Sequence, residues 1–155
     1  MMIAPMTEAD VDEVVAIDLA SFPAQDVGGE RNGRRMQLRE ELVRPWARLR
    51  GARDERGLVG YILFWHVTDE IHLLNVAVAP EARRHGVGRA LVLDLFGYAR
   101  AHHAAKVLLE VRASNEPAIR LYESLRFVRF NVRKAYYSDG EDGVEMMFEL
   151  DGGRP

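Results

Sequence analysis

The chain has no cysteine. Disulfides and thiolate nucleophiles are therefore excluded, and a reducing compartment is compatible with the composition. No apolar run approaches the roughly 20 residues that span a bilayer. The N-terminal Met1-Met2-Ile3-Ala4-Pro5 lacks the basic region and apolar core of a secretory signal. Neither sign of charge dominates: 21 basic residues against 24 acidic leave a net −3, no whole-molecule attraction for nucleic acid. Internal repeats, low-complexity tracts and linkers are missing too. These absences imply a soluble, cytoplasmic chain with no membrane or direct nucleic-acid partner. Its 155 residues fit one domain, expected over 1–150, with a frayed tail at 151–155.

What is present alternates between strand and helix patterns. A short edge strand is expected at 3–6. A helix follows, capped by Thr7 and ending near Phe22-Pro23, then a loop at 24–29 and a second helix at 31–43. Strands are expected at 46–53, 58–67 and 71–78, then a helix at 87–103, a strand at 107–111 and a helix at 116–125. Two last strands, near 127–134 and 144–150, flank a polar loop. The strand–helix–strand unit from 71 to 111 implies one parallel pair. The expected fold is α/β (α+β): a mixed, mostly antiparallel sheet of about seven strands flanked by about four helices.

Two segments carry chemistry. Glu110 falls within the apolar run Val107-Leu108-Leu109-Glu110-Val111, which reads as a buried strand. A carboxylate there is costly unless something uses it. Arg83-Arg84-His85-Gly86-Val87-Gly88 opens a helix, where glycines let consecutive N–H groups approach an anion. The alternatives are a strand-end carboxylate paired with Arg112 or another arginine, and a tight turn with solvated arginines. A Walker loop fails, because no lysine or hydroxyl residue follows Gly88. The dinucleotide fingerprint fails at Leu91.

The run from Leu74-Asn75-Val76-Ala77-Val78 through Arg83 to Leu91 resembles the cofactor segment of the GNAT N-acetyltransferases. Glu110-Val111-Arg112-Ala113-Ser114-Asn115, with Leu121-Tyr122-Glu123-Ser124-Leu125, is similar to the narrower RimI branch. Members of that branch acetylate the N-terminal alanine of ribosomal protein S18. The resemblance implies Glu110 as general base and Tyr122 as general acid. It implies that Val76, Ala77 and Val78 hold the pantetheine arm of acetyl-CoA. Arg84, His85, Gly86, Val87, Gly88 and Arg89 would cradle the pyrophosphate, and Asn115 would lie near the thiol. The implied partner is a protein N-terminus, with S18 foremost. Other amines (a lysine side chain, a polyamine, an aminoglycoside) and a non-catalytic acyl-CoA module remain as alternatives.

The chemistry is consistent with that resemblance. An α-ammonium, with a pKa near 8, must lose a proton before attacking a thioester. A carboxylate raised by burial would be a better base. The sequence departs from the branch at Arg126, where glycine is usual, and at Ala24, where tryptophan is common. Residues 30–56 hold nine arginines against five acids, read as a solvated face. Asp139, Glu141 and Asp142 are candidates to attract a basic acceptor. His66 and His72 lie on neighbouring expected strands where they could meet, but no metal is expected.

Overall fold

The computed structural model describes residues 1–21 and 31–150. The loop expected at 24–29, the Phe22-Pro23 helix end, the Ala24 departure and the 151–155 tail lie outside the described residues. The elements are β1 (Met2–Pro5), α1 (Val11–Ser21), α2 (Arg31–Val43), β2 (Ala47–Asp54), β3 (Gly57–Val67) and β4 (Glu70–Val78). They continue with α3 (Val87–Ala101), β5 (Lys106–Arg112), α4 (Glu116–Ser124), β6 (Val128–Arg133) and β7 (Gly143–Glu149). The seven strands form one sheet in the order β1-β2-β3-β4-β5-β7-β6. Only β4 and β5 run parallel, joined by α3 as the strand–helix–strand pattern requires.

β3 is the spine. Its apolar run, Leu58 to Phe64, is buried throughout because helices cover both of its faces. Tyr61 points to α1 and α2, where it meets Asp18 and Arg34. Phe64, on the opposite face, packs edge-on against Tyr98 of α3 with ring centroids 5.1 Å apart. Gly60 lets α3 come close: a Cβ there would lie 2.9 Å from the Ala77 carbonyl and 3.0 Å from Val87. Pro5 is tolerated because β1 is an edge strand. Asp10 accepts the Thr7 N–H at 2.7 Å, a capping box on the 3₁₀ turn Glu8–Asp10 that leads into α1.

The arginines of 30–56 are largely spent on structure. Arg35 pairs with Asp12, Arg39 with Glu8, Arg50 with Asp94, and Arg53 with Asp10 and Glu13. Arg126 follows α4 with φ of +74°, a left-handed turn that glycine enters without strain. This explains why glycine is the usual residue there.

Candidate active site

The site begins with a defect in the sheet. β4 and β5 pair only from Glu70–Lys106 to Leu73–Leu109. On its other side β4 slips by one residue: Leu63 faces Asn75 and Phe64 faces Leu73, leaving Leu74 as the extra residue. Such a bulge bends its strand. Beyond it β4 leaves β5, so backbone groups of residues 75–78 on that edge have no ladder partner. The gap opens into a cleft of about 570 Å³.

Glu110, Tyr122, Val76 and Asn115 all line this cleft. Glu110 is exposed, which corrects the expectation of a buried carboxylate. Val107, Leu109 and Val111 turn to the core, while Leu108, Glu110 and Arg112 face the other side. The apolar run masked a period of two. Glu110 therefore meets water and the cleft. Its partner is Tyr136, whose hydroxyl donates to it; that bond, ahead of burial, holds the Tyr136 phenol above its usual range.

Glu145 stands directly opposite Glu110 in the β5–β7 ladder. Two like charges in register repel. Glu145 is quieted by Asn131 at 2.7 Å and by Arg133 at 3.0 Å. Arg133 also sits over the Tyr136 ring, 5.3 Å from its centroid. Arg133 is bonded directly to Glu145 and reaches Glu110 only through its charge.

Tyr122 is buried on α4, packed edge-on against Phe127. Burial first, and Tyr137 second, push its phenol up to about 12. Such a group stays protonated and can donate at neutral pH. Asn115 caps α4, its Oδ1 accepting the Ala118 N–H at 3.3 Å. Ala77 is buried; Val76 and Val78 are half-buried.

The glycine loop lies apart from the cleft lining. Arg84 and Gly86 both adopt left-handed backbone, with φ of +67° and +78°. Gly86 is the cap of α3. Val87 is a core residue, so only its backbone can face a ligand. A Cβ at Gly88 would lie 3.4 Å from Leu121 and 3.7 Å from Val78, so the start of α3 runs close to α4 and the end of β4. Arg84, His85 and Arg89 are exposed. Arg83 is committed elsewhere, donating to the Val78 carbonyl and the Ser21 hydroxyl, each at 3.1 Å.

Two other expectations are corrected. His66 pairs with Ile71, and His72 with Trp65, so the two histidines point to opposite faces. His66 instead packs on Tyr98 and His102. The acidic loop is occupied too: Asp139 and Glu141 hold Arg112, and Asp142 accepts from Ala135 and Lys134. These bonds brace the loop against β5 and β6.

Sequence reading missed Asn75, Tyr136, Arg133 and Glu145 as cleft residues. It also missed Asp18, fully buried and bonded to Arg34 and Tyr61. Burial pushes its carboxyl up, against the pull of Arg34 and the Tyr61 hydroxyl. An acid between Val14, Val15, Ile17 and Leu19 was the available signal.

Known proteins resemble this chain in sequence and in fold. The Acetyltransferase (GNAT) family matches residues 12–127. A Bacillus subtilis (strain 168) protein, provisionally named a ribosomal protein bS18-alanine N-acetyltransferase, is 31% identical over 138 residues, covering 88% of this chain and 87% of its own. The ribosomal protein bS18-alanine N-acetyltransferase of Escherichia coli (strain K12) is 45% identical over 87 residues, 54% of this chain and 59% of its own. The crystal structure of the ribosomal-protein-S18-alanine N-acetyltransferase from Escherichia coli superposes with a TM-score of 0.83 at 28% identity, covering 96% of this chain and 93% of that one. With its split sheet and a match over most of its length, the chain belongs to the GNAT family of acetyltransferases, enzymes that draw their acetyl group from acetyl-CoA.

Proposed function

We propose that this enzyme is an Nα-acetyltransferase that moves acetyl from acetyl-CoA to the N-terminal alanine of ribosomal protein S18. One observation carries the reading: Glu110 presents an exposed carboxylate where β4 and β5 part, across a cleft that also receives Tyr122. The relatives named for S18 supply the acceptor. Glu110 and Glu145 share the cleft with Arg112 and Arg133, and Arg112 is bonded to Asp139 and Glu141, Arg133 to Glu145.

Glu110 takes the proton from the α-ammonium, directly or through one water. With the amine near pKa 8 the transfer to a carboxylate is uphill but modest. The amine then attacks the thioester carbonyl. Tyr122, held protonated by its burial, donates to the departing sulfur, and the proton that the nitrogen sheds on becoming an amide restores the phenol. The free edge of Val76, Ala77 and Val78 pairs with the pantetheine arm as an added strand. Backbone N–H groups of residues 84–89, with Arg84 and Arg89, take the pyrophosphate. Asn115, at the cap of α4, contacts the cofactor near its thiol. No cysteine is needed for direct attack. Among the described residues no helix is long and apolar enough to cross a membrane, compatible with work on ribosomal proteins in the cytoplasm.

The test is acetyl-CoA turnover with an alanine-headed peptide, the same peptide blocked at its amine, and spermine. Turnover of the free peptide with none of the blocked one is the expected result. Rapid turnover of spermine alone would sink the N-terminal reading.

A further inference from the structure

One buried polar cluster has no task in that chemistry. Asp18, at 0% exposure, and Arg34, at 6%, form an ion pair inside the molecule. Tyr61 donates its hydroxyl to the same carboxylate, so α1, α2 and β3 share one charge pair. Arg34 also reaches a fourth element: its Nη2 donates to Oδ1 of Asn75 on β4 at 3.1 Å.

Arginine has only donors, so its partner on Asn75 must be the amide oxygen. That fixes which way the amide points. Nδ2, with two N–H donors, lies on the other branch and is bonded to no described residue. Every buried side-chain nitrogen and oxygen among the described residues has a partner. Nδ2 is therefore open to the cleft, whose wall Asn75 helps form.

The ladder says what this donor faces. Asn75 stands opposite Leu63 and shares the α1–α2 side of the sheet with Tyr61. Glu110 lies on that side too, two residues beyond Leu108, which pairs with His72. The glycine loop opens α3, on the other face. Asn75 thus addresses the acceptor rather than the cofactor phosphates. In a peptide, the first carbonyl oxygen lies roughly 3–4 Å from the reacting nitrogen. Polyamines and lysine side chains have no such carbonyl beside the amine.

We propose that Asn75 donates an N–H to the main-chain carbonyl of the acceptor's first residue, and that buried Arg34 is the positioning residue that holds the amide for it. This rests on the acceptor being a peptide N-terminus. The experiment compares KM for an alanine-headed peptide with KM for the same peptide carrying an alkene isostere in place of its first peptide bond. Wild type is expected to favour the carbonyl peptide roughly 3- to 10-fold. Asn75→Asp keeps an oxygen for Arg34 but removes both donors, so it should treat the two peptides about equally, with the acetyl-CoA KM unchanged. The ratio of the two peptides cancels any attraction from the added charge. Arg34→Lys keeps a charge beside Asp18 yet loses the guanidinium fork, and should lose the same preference. If Arg34→Lys does not fold, Asn75→Asp alone decides. Equal preference in wild type and Asn75→Asp overturns the proposal and leaves the peptide reading standing. Turnover of spermine alone by wild type overturns both.

Discussion

Asp18 and Glu110 are both carboxylates on the α1–α2 side of one sheet, yet only Asp18 is removed from water. Asp18 accepts from Arg34 and Tyr61, and its cluster ties α1, α2, β3 and β4 together. Glu110 accepts from Tyr136 at the margin of an open cleft. A buried charge must be fully partnered, and a fully partnered group has nothing left to offer a substrate. An exposed carboxylate beside a gap in the sheet keeps its lone pairs available. The contrast places Asp18 in the frame and leaves Glu110 available for the chemistry proposed above.

The largest effect that would break this contrast is on rate. Glu110→Gln is expected to lower kcat by roughly 10²–10⁴-fold while leaving the unfolding midpoint near wild type. Steady-state kinetics and a urea melt on one preparation check both halves. Next comes Asp18→Asn, which leaves the Arg34 charge buried and uncompensated. A loss of about 3–5 kcal/mol of stability is expected in denaturant unfolding. A loss below about 1 kcal/mol would mean the pair is not what holds α1 and α2 to the sheet.

Tyr122→Phe separates burial from chemistry in one residue. A fall in kcat of roughly 10²-fold is expected with the fold intact. Alkaline unfolding supplies a second reading. Because the folded phenol sits at about 12, above its ordinary 10, its stabilising contribution is complete below pH 10 and is lost as pH rises towards 12. Tyr122→Phe should abolish that part of the alkaline loss, up to about 2–3 kcal/mol. Glu145→Gln carries the smallest effect. Glu145 is held by Asn131 and Arg133, so roughly a two- to fivefold change in kcat is expected. A fall as large as that of Glu110→Gln would make the two carboxylates a working pair.

The fold was legible because each element announces itself locally. Apolar, β-branched and aromatic runs marked the strands, Thr7 marked a helix start, and the 71–111 unit required the parallel pair. Glu110 stood out as a charge in an apolar run, whereas Tyr122 and Asn115 were picked out only through the motif shared with the GNAT family. Their common cleft depends on a one-residue slip at Leu74, which no local pattern records. The burial assigned to Glu110 was wrong because Leu108 and Leu109 are both apolar while facing opposite ways. Asn75 and Glu145 escaped notice because their roles arise from partners 41 residues away in Arg34 and across the ladder in Glu110.

The claim that Glu110 removes the acceptor's proton is tested most directly by following wild type and Glu110→Gln across pH 6 to 9 with an alanine-headed peptide. Below the amine's pKa near 8 the attacking nitrogen carries its proton, and above it the proton is already gone. The gap in kcat between the two enzymes should be widest at pH 6 and narrow above pH 8. A gap that stays constant with pH, or no gap at all, would contradict the role of Glu110 as the base.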